Sequence, residues 1–322
     1  MWQLVRVVLE HKGPGWKSKI IEDRKALGAA MSSPSRGIIY IVTGQKFVEE
    51  ACRSAASVKK CMPDIPITLF SDLPIDSSFF DQVIHIANPA YGLEDKVGHI
   101  SMSPYQETLF LDSDTHMVDN SRELFSLLER FDFAAVHSSC RAQYQVTEVP
   151  DCFPEFNTGV LLFRKSKQTE WLFQRWVQIY RDDRMKPQNW LVPGIERWYG
   201  DRQSLPDQPS FRRAIYESGL RTATLPSEYN CRLLFPGFVH TKVKIIHGRV
   251  RSFAKVSEEL NKTLLPRVYV MRWGKLKTLD NAMPAFENIL SRTRWSLHHR
   301  GILQTVVTAM TQFMTKLWRI FA

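Results

Sequence analysis

The chain has 322 residues, 44% hydrophobic and 24% charged, an ordinary globular composition with room for one large α/β domain or two smaller ones. Its five cysteines (Cys52, Cys61, Cys140, Cys152, Cys231) are odd in number and lack C-x-x-C spacing, which argues against a disulfide framework or zinc site and for reduced, packed thiols. The formal charge of +10 is concentrated: residues 241–322 hold 15 Lys and Arg against 4 Asp and Glu, whereas residues 1–240 hold 28 against 29.

A basic region of this kind suits an anionic partner, whether a diphosphate, an anionic lipid surface or nucleic acid, the alternative being a solubilising face. The opening MWQLVRVVLE is too short and too interrupted for a signal peptide, and no stretch approaches the roughly 20 apolar residues that span a bilayer. The expectation is a cytoplasmic protein, peripheral on the inner face of a membrane if its basic region engages one.

Residues 1–36 show no long periodic element and read as an N-terminal extension and linker. GIIYIVT (37–43) is then a β-branched apolar run, a buried strand of the parallel-sheet kind. Residues 45–61 place Phe47, Val48, Ala51, Ala55 and Val58 at helical spacing, and IPITLF (65–70), QVIHIA (82–87) and ETLFL (107–111) are further strands. Strands alternating with helices imply βαβ units, a mostly parallel sheet, and sites at strand C-terminal ends. FDFAAVH (131–137) and TGVLLFR (158–164) continue the strands, 167–184 and 208–218 read as helices, and 186–206 is irregular, with Trp190, Trp198 and Tyr199. KVKIIHG (242–248) is a late strand.

The strand ETLFL runs into Asp112-Ser113-Asp114. In an extended chain alternate side chains share a face, so the two carboxylates would point the same way and repel unless a cation lay between them. Oxygen donors of this kind suit Mg²⁺ or Mn²⁺, which commonly grip nucleotide phosphates. Thr43 and Gly44 lie at another strand end, where a glycine lets backbone approach a ligand.

IVTGQKF, Lys96, LDSDT, EFNTGVLLF (155–163), PDQPSF (206–211), LPSEYN (225–230) and IIHGRVR (245–251), taken in this order, resemble the GT-A glycosyltransferases, and most closely glycosyltransferase family 8. The resemblance covers roughly residues 37–252. It implies a Rossmann-like α/β fold and transfer of a sugar, with retention, from a nucleotide-diphosphate donor, UDP-linked in the family, to a hydroxyl of a glycan or lipid-linked acceptor. By the resemblance Asp112, Asp114 and His247 hold Mn²⁺ or Mg²⁺, the imidazole favouring Mn²⁺. Thr43, Gly44, Phe47, Lys96, Ser113, Gly248, Arg249 and Arg251 contact the nucleotide and its diphosphate, and Asn157, Asp207 and Gln208 surround the transferred sugar. The phosphate-binding turn after His247 is two residues shorter than the family pattern, and Arg251 stands where lysine is usual; guanidinium can hold a diphosphate bidentately. Four alternatives stay open on the residues themselves: Phe47 as a core residue of its helix, Lys96 as an exposed helix lysine, Asp207 as an N-cap, and His247 as a core or surface histidine.

Residues 253–297 form a basic extension, and 298–322 read as an amphipathic basic helix, with Ile302, Val306, Val307, Met310, Phe313 and Leu317 at three- and four-residue steps. That pattern fits a membrane interface, where each Lys or Arg near an anionic leaflet contributes about 1 kcal/mol; a helix packed on the domain is the alternative. A haloacid-dehalogenase-like phosphotransferase also starts at D-x-D but wants Thr or Val where this chain has His116. A non-catalytic binder of nucleotide sugars would carry the same ligands, and no nucleic-acid reader motif is present.

Overall fold

The computed structural model describes residues 35–138, 146–185, 206–272, 274–280 and, toward the C-terminus, 293–294, 296–299, 301–302 and 304–311. The chain forms two compact units that divide between Leu225 and Pro226.

The first unit runs β1 (Arg36–Val42), α1 (Gln45–Cys61), β2 (Ile67–Ser71), β3 (Gln82–His85), α2 (Leu93–His99), β4 (Glu107–Leu111), β5 (Thr115–Met117), β6 (Phe133–His137), β7 (Phe156–Arg164), α3 (Lys167–Arg184), α4 (Gln208–Ser218) and β8 (Thr222–Leu225). A seven-stranded sheet has the order β3-β2-β1-β4-β7-β6-β8. Strands β3, β2, β1 and β4 are mutually parallel, as are β6 and β8, while β7 runs against both of its neighbours. The α/β, mostly parallel sheet expected from the apolar runs is present, with one reversed strand in its middle. Helices supply the apolar cover such a sheet needs, so β1, β2 and β4 are buried almost end to end.

Strand limits depart from the hydrophobic runs where local hydrogen bonds intervene. Phe131 N–H closes the preceding 3₁₀ turn onto Leu127 O, so β6 begins two residues after the run does. Ile65 N–H is spent on Met62 O and Pro66 has none to give, so β2 starts at Ile67. Between sheet and helices lies an aromatic core: Trp176 of α3 meets Phe211 of α4 edge-on at 4.7 Å, and Phe211 meets Phe133 of β6 at 5.5 Å. The Trp176 indole N–H donates to Asp207 O and Ser210 Oγ, both at 3.1 Å. Core packing thereby fixes the start of α4, where two of the candidate residues lie.

The second unit contains β9 (Cys231–Arg232), β10 (Gly237–Val239), β11 (Ile245–His247), α5 (Phe253–Asn261), β12 (Arg267–Arg272) and β13 (Lys275–Asp280). β10, β12 and β13 form an antiparallel sheet, and β11 lies parallel to β9. Arg267 is 1% exposed and donates to Leu260 O (2.5 Å), Leu265 O (3.0 Å) and Thr241 O (2.8 Å), tying the ends of three segments together.

Cys52, Cys61, Cys152 and Cys231 are free thiols, as their spacing implied; Cys140 lies outside the described residues. So do the aromatic segment 186–205, most of the N-terminal extension and residues 312–322 of the expected amphipathic helix. The described positions of that segment from 304 to 311 are helical, with Val306, Val307 and Met310 exposed. Among the described residues no helix is long and apolar enough to cross a membrane.

Candidate functional site

The two aspartates do not continue β4. The strand stops at Leu111, and Asp112 N–H makes one more ladder bond, to Gly159 O of β7 at 2.8 Å. Thr115 then bonds Asp112 O through both its N–H (3.1 Å) and its hydroxyl (2.8 Å), closing residues 112–115 into a tight turn. A turn held by the Thr115 hydroxyl therefore presents the carboxylates, in place of the extended strand expected from the sequence. Ser54 braces that turn from α1, its hydroxyl 3.0 Å from Thr115 Oγ1 and 2.8 Å from the Tyr40 hydroxyl. Ser113 donates to Glu50 Oε2 at 3.2 Å.

Lys96 is not an exposed helix lysine. It is buried, with Nζ 2.5 Å from Asp207 Oδ2, 3.3 Å from Asp112 Oδ1 and 3.3 Å from Thr158 Oγ1. Thr158 in turn donates its hydroxyl proton to Asp207 Oδ2 at 2.8 Å. Burial alone would lower the lysine pKa; the Asp112 and Asp207 carboxylates outweigh it and hold the ammonium above its ordinary range. Asp207 occupies the N-cap position of α4, yet its side chain makes no capping bond. The capping alternative fails because the ammonium and Thr158 hydroxyl are stronger partners than one helix N–H.

Gln208 is tied at both ends. Asn157 Nδ2 donates to its Oε1 at 2.6 Å, and its Nε2 donates to Glu155 Oε1 at 2.9 Å and to Ser138 Oγ at 3.3 Å. Asn157 Oδ1 accepts from Gly159 N–H at 3.2 Å, which fixes which way its amide faces. The first unit thus brings together two adjacent polar groups, Lys96 with Asp112, Thr158 and Asp207, and Asn157 with Gln208, joined along the chain at 157–158 and 207–208 and collected from the end of β4, the start of β7, α2 and the start of α4.

At the end of β1, Gly44 has φ +86°, a conformation that favours glycine, and its N–H donates to Asp72 Oδ1 at 2.9 Å. The Thr43 hydroxyl donates to Asp95 Oδ2 at 2.6 Å, so this threonine positions the α2 approach directly. Phe47 is 40% exposed, which removes the reading of it as a core residue.

In the second unit His247 ends β11, is buried, and places Nδ1 2.8 Å from Asn230 Oδ1. Its backbone is pinned by Leu233 N–H donating to His247 O at 2.9 Å. Gly248 follows at φ +136°, with Leu233 Cβ 3.4 Å from where its own Cβ would sit, so only glycine makes this turn without strain. Arg249 and Arg251 come next and are exposed.

Four residues important to this geometry escaped the sequence reading: Thr158, Glu155, Asp95 and Asn230. Each sits inside or beside a motif, but its partner is far along the chain, 49 residues away for Thr158 and 53 for Glu155. The sequence neighbourhood of Asn157 and Lys96 could have flagged Glu155, Thr158 and Asp95; nothing local points to Asn230.

No family model and no curated protein matches this chain. Among solved structures it is similar to the glycosyltransferase GlyE of Streptococcus pneumoniae TIGR4, at 15% identity and TM-score 0.43 over 62% of this chain and 47% of that one. It is also similar to mouse xyloside xylosyltransferase 1, at 16% identity and TM-score 0.42 over 66% of this chain and 97% of that one. A third is the galactosyltransferase LgtC, solved with donor and acceptor sugar analogues, at 13% identity and TM-score 0.40 over 66% and 86%. The match spans about half the length of GlyE. At these values function has to come from the side chains of this chain itself.

Proposed function

We propose that the protein is a metal-dependent glycosyltransferase that moves a sugar from a nucleotide-diphosphate donor, a UDP-sugar by its family resemblance, to a hydroxyl of a glycan or lipid-linked acceptor, with retention. The observation that carries this reading is the buried Lys96 ammonium shared by Asp112 and Asp207. Burying the Lys96–Asp207 pair beside the partly exposed Asp112 is costly, and apolar residues of similar volume would commonly stabilise the fold as well or better. A network of this kind at the end of a sheet fits a site for an ionic substrate.

By the family resemblance Asp112, Asp114 and His247 would hold a divalent ion, and two carboxylates with an imidazole suit Mn²⁺ better than Mg²⁺. Such an ion would neutralise the diphosphate as the bond from sugar to phosphate breaks. Lys96 fixes the orientation of Asp112 and adds positive charge toward the leaving group, and Arg251 is placed by sequence to do the same. Gln208, with both ends of its amide held, and Asp207 present oriented polar atoms to a sugar, positioning the anomeric carbon. Asp207 is bonded to Lys96 and Thr158, so the leaving phosphate and not this carboxylate takes the acceptor proton, on the face it departs from.

The test is release of nucleoside diphosphate from a panel of nucleotide sugars with Mn²⁺. Asp112→Asn and Asp114→Asn should each lower turnover by about 10²–10³-fold while circular dichroism and melting stay near wild type. Mn²⁺ binding without turnover on any donor would identify a binder instead, and unchanged turnover in both variants would end the metal reading.

A further inference from the structure

We propose that Asn230 is a positioning residue that selects the metal-binding tautomer of His247; this rests on the metal reading above and deepens it. A neutral imidazole carries one proton on one of two nitrogens, and only the other can ligate. In solution the two forms lie close in free energy, so a buried ligand histidine needs a neighbour to choose between them.

Asn230 supplies that choice. Its Oδ1, which can only accept, lies 2.8 Å from His247 Nδ1, so Nδ1 carries the proton and Nε2 keeps its lone pair. Both residues are buried, at 2% and 8% exposure, where losing this bond would leave a polar group poorly solvated. Backbone bonds hold each partner in place. Asn230 follows the 3₁₀ turn Ser227–Tyr229 and its N–H bonds Ser227 O at 3.1 Å. His247 lies opposite Arg232 in the parallel pairing of β11 with β9. Glu228, buried one turn earlier, accepts Thr241 N–H at 2.8 Å and offers its own carbonyl to Lys244 N–H at 2.8 Å, so the chain entering β11 is anchored to the same turn that carries Asn230. The turn and the strand therefore move as one piece, and the amide reads the ring through a fixed geometry.

The experiment uses full-length, metal-free protein labelled with ¹⁵N-histidine at pH 8. Long-range ¹H–¹⁵N spectra report which ring nitrogen is protonated, with His247 assigned by the signal lost in His247→Gln. Wild type is expected to show Nδ1–H. Asn230→Ala should shift His247 toward Nε2–H and weaken Mn²⁺ binding, measured by electron paramagnetic resonance titration, by about 10–100-fold. Asn230→Asp, which keeps an acceptor in the same place and guards against a folding defect in the alanine variant, should restore Nδ1–H. Nε2–H in the wild type, or an unchanged tautomer in Asn230→Ala, overturns the proposal. Because the tautomer is read without metal, a wild type that binds no Mn²⁺ yet shows Nδ1–H defeats the metal reading and not the tautomer assignment.

Discussion

Each unit buries a cation almost completely, Lys96 in the first and Arg267 in the second, and the two are kept for different reasons. Arg267 gives its protons to backbone carbonyls of Leu260, Leu265 and Thr241, neutral acceptors at the ends of structural segments. Lys96 faces two carboxylates and a threonine hydroxyl, so two of its partners are themselves charged. Burial of charge alone does not mark a site; the nature of the partner does. A cation spent on carbonyls holds the chain together, and one balanced against acids at a sheet end is poised to meet another charged molecule.

The comparison is most sharply tested at Lys96. Lys96→Met leaves the Asp207 carboxylate buried without its cation, so it should cost about 3–5 kcal/mol of stability. Turnover should fall by at least about 10²-fold even at temperatures where the variant is folded, and Asp207→Asn in the same chain should restore stability but not activity. Recovery of both by the double variant would make Lys96 a structural ion like Arg267. Next comes Arg267→Met, which orphans three carbonyls and should lose about 3 kcal/mol in urea unfolding, with Arg267→Lys recovering only part because an ammonium lacks the planar fork. The smallest effect is expected at an exposed pair. Arg221 chelates Asp132 at 2.8 and 3.0 Å, and these hydrogen bonds hold the Asp132 carboxyl below its usual range. A depressed carboxylate pKa contributes stability above the unfolded value that is lost as pH falls through the folded one. Arg221→Ala should therefore melt slightly lower than wild type at pH 7, and the gap should close below the ordinary aspartate range.

How much of this was written in the order of residues depends on the range over which each feature acts. β1, β2 and β4 announced themselves as apolar β-branched runs because a strand covered on both faces needs little else. Helix α4 began where Pro209 allowed it, and α1 matched its helical spacing from Val48 onward. The local reading failed where a distant partner took over a residue. Asp207 looked like a cap and instead answers Lys96, a residue over a hundred positions earlier. Asp112 and Asp114 looked like the tail of a strand, and Thr115 folded them into a turn. Phe47 sat at a core spacing yet faces outward, because a helix of seventeen residues begins before its apolar stripe reaches the sheet. Asn230 was silent, since nothing in LPSEYN foretells a histidine arriving from a different strand.

Strand β7, threaded backwards between β4 and β6, has a practical consequence for altering this protein. Its first residues, Phe156 to Thr158, arrive at the same rim that β4 reaches with its last, so chain can be inserted ahead of β7 and chain can be exchanged after β4 without either change passing through the sheet. That rim could then be altered from the β7 side while the acidic turn after β4 is left untouched.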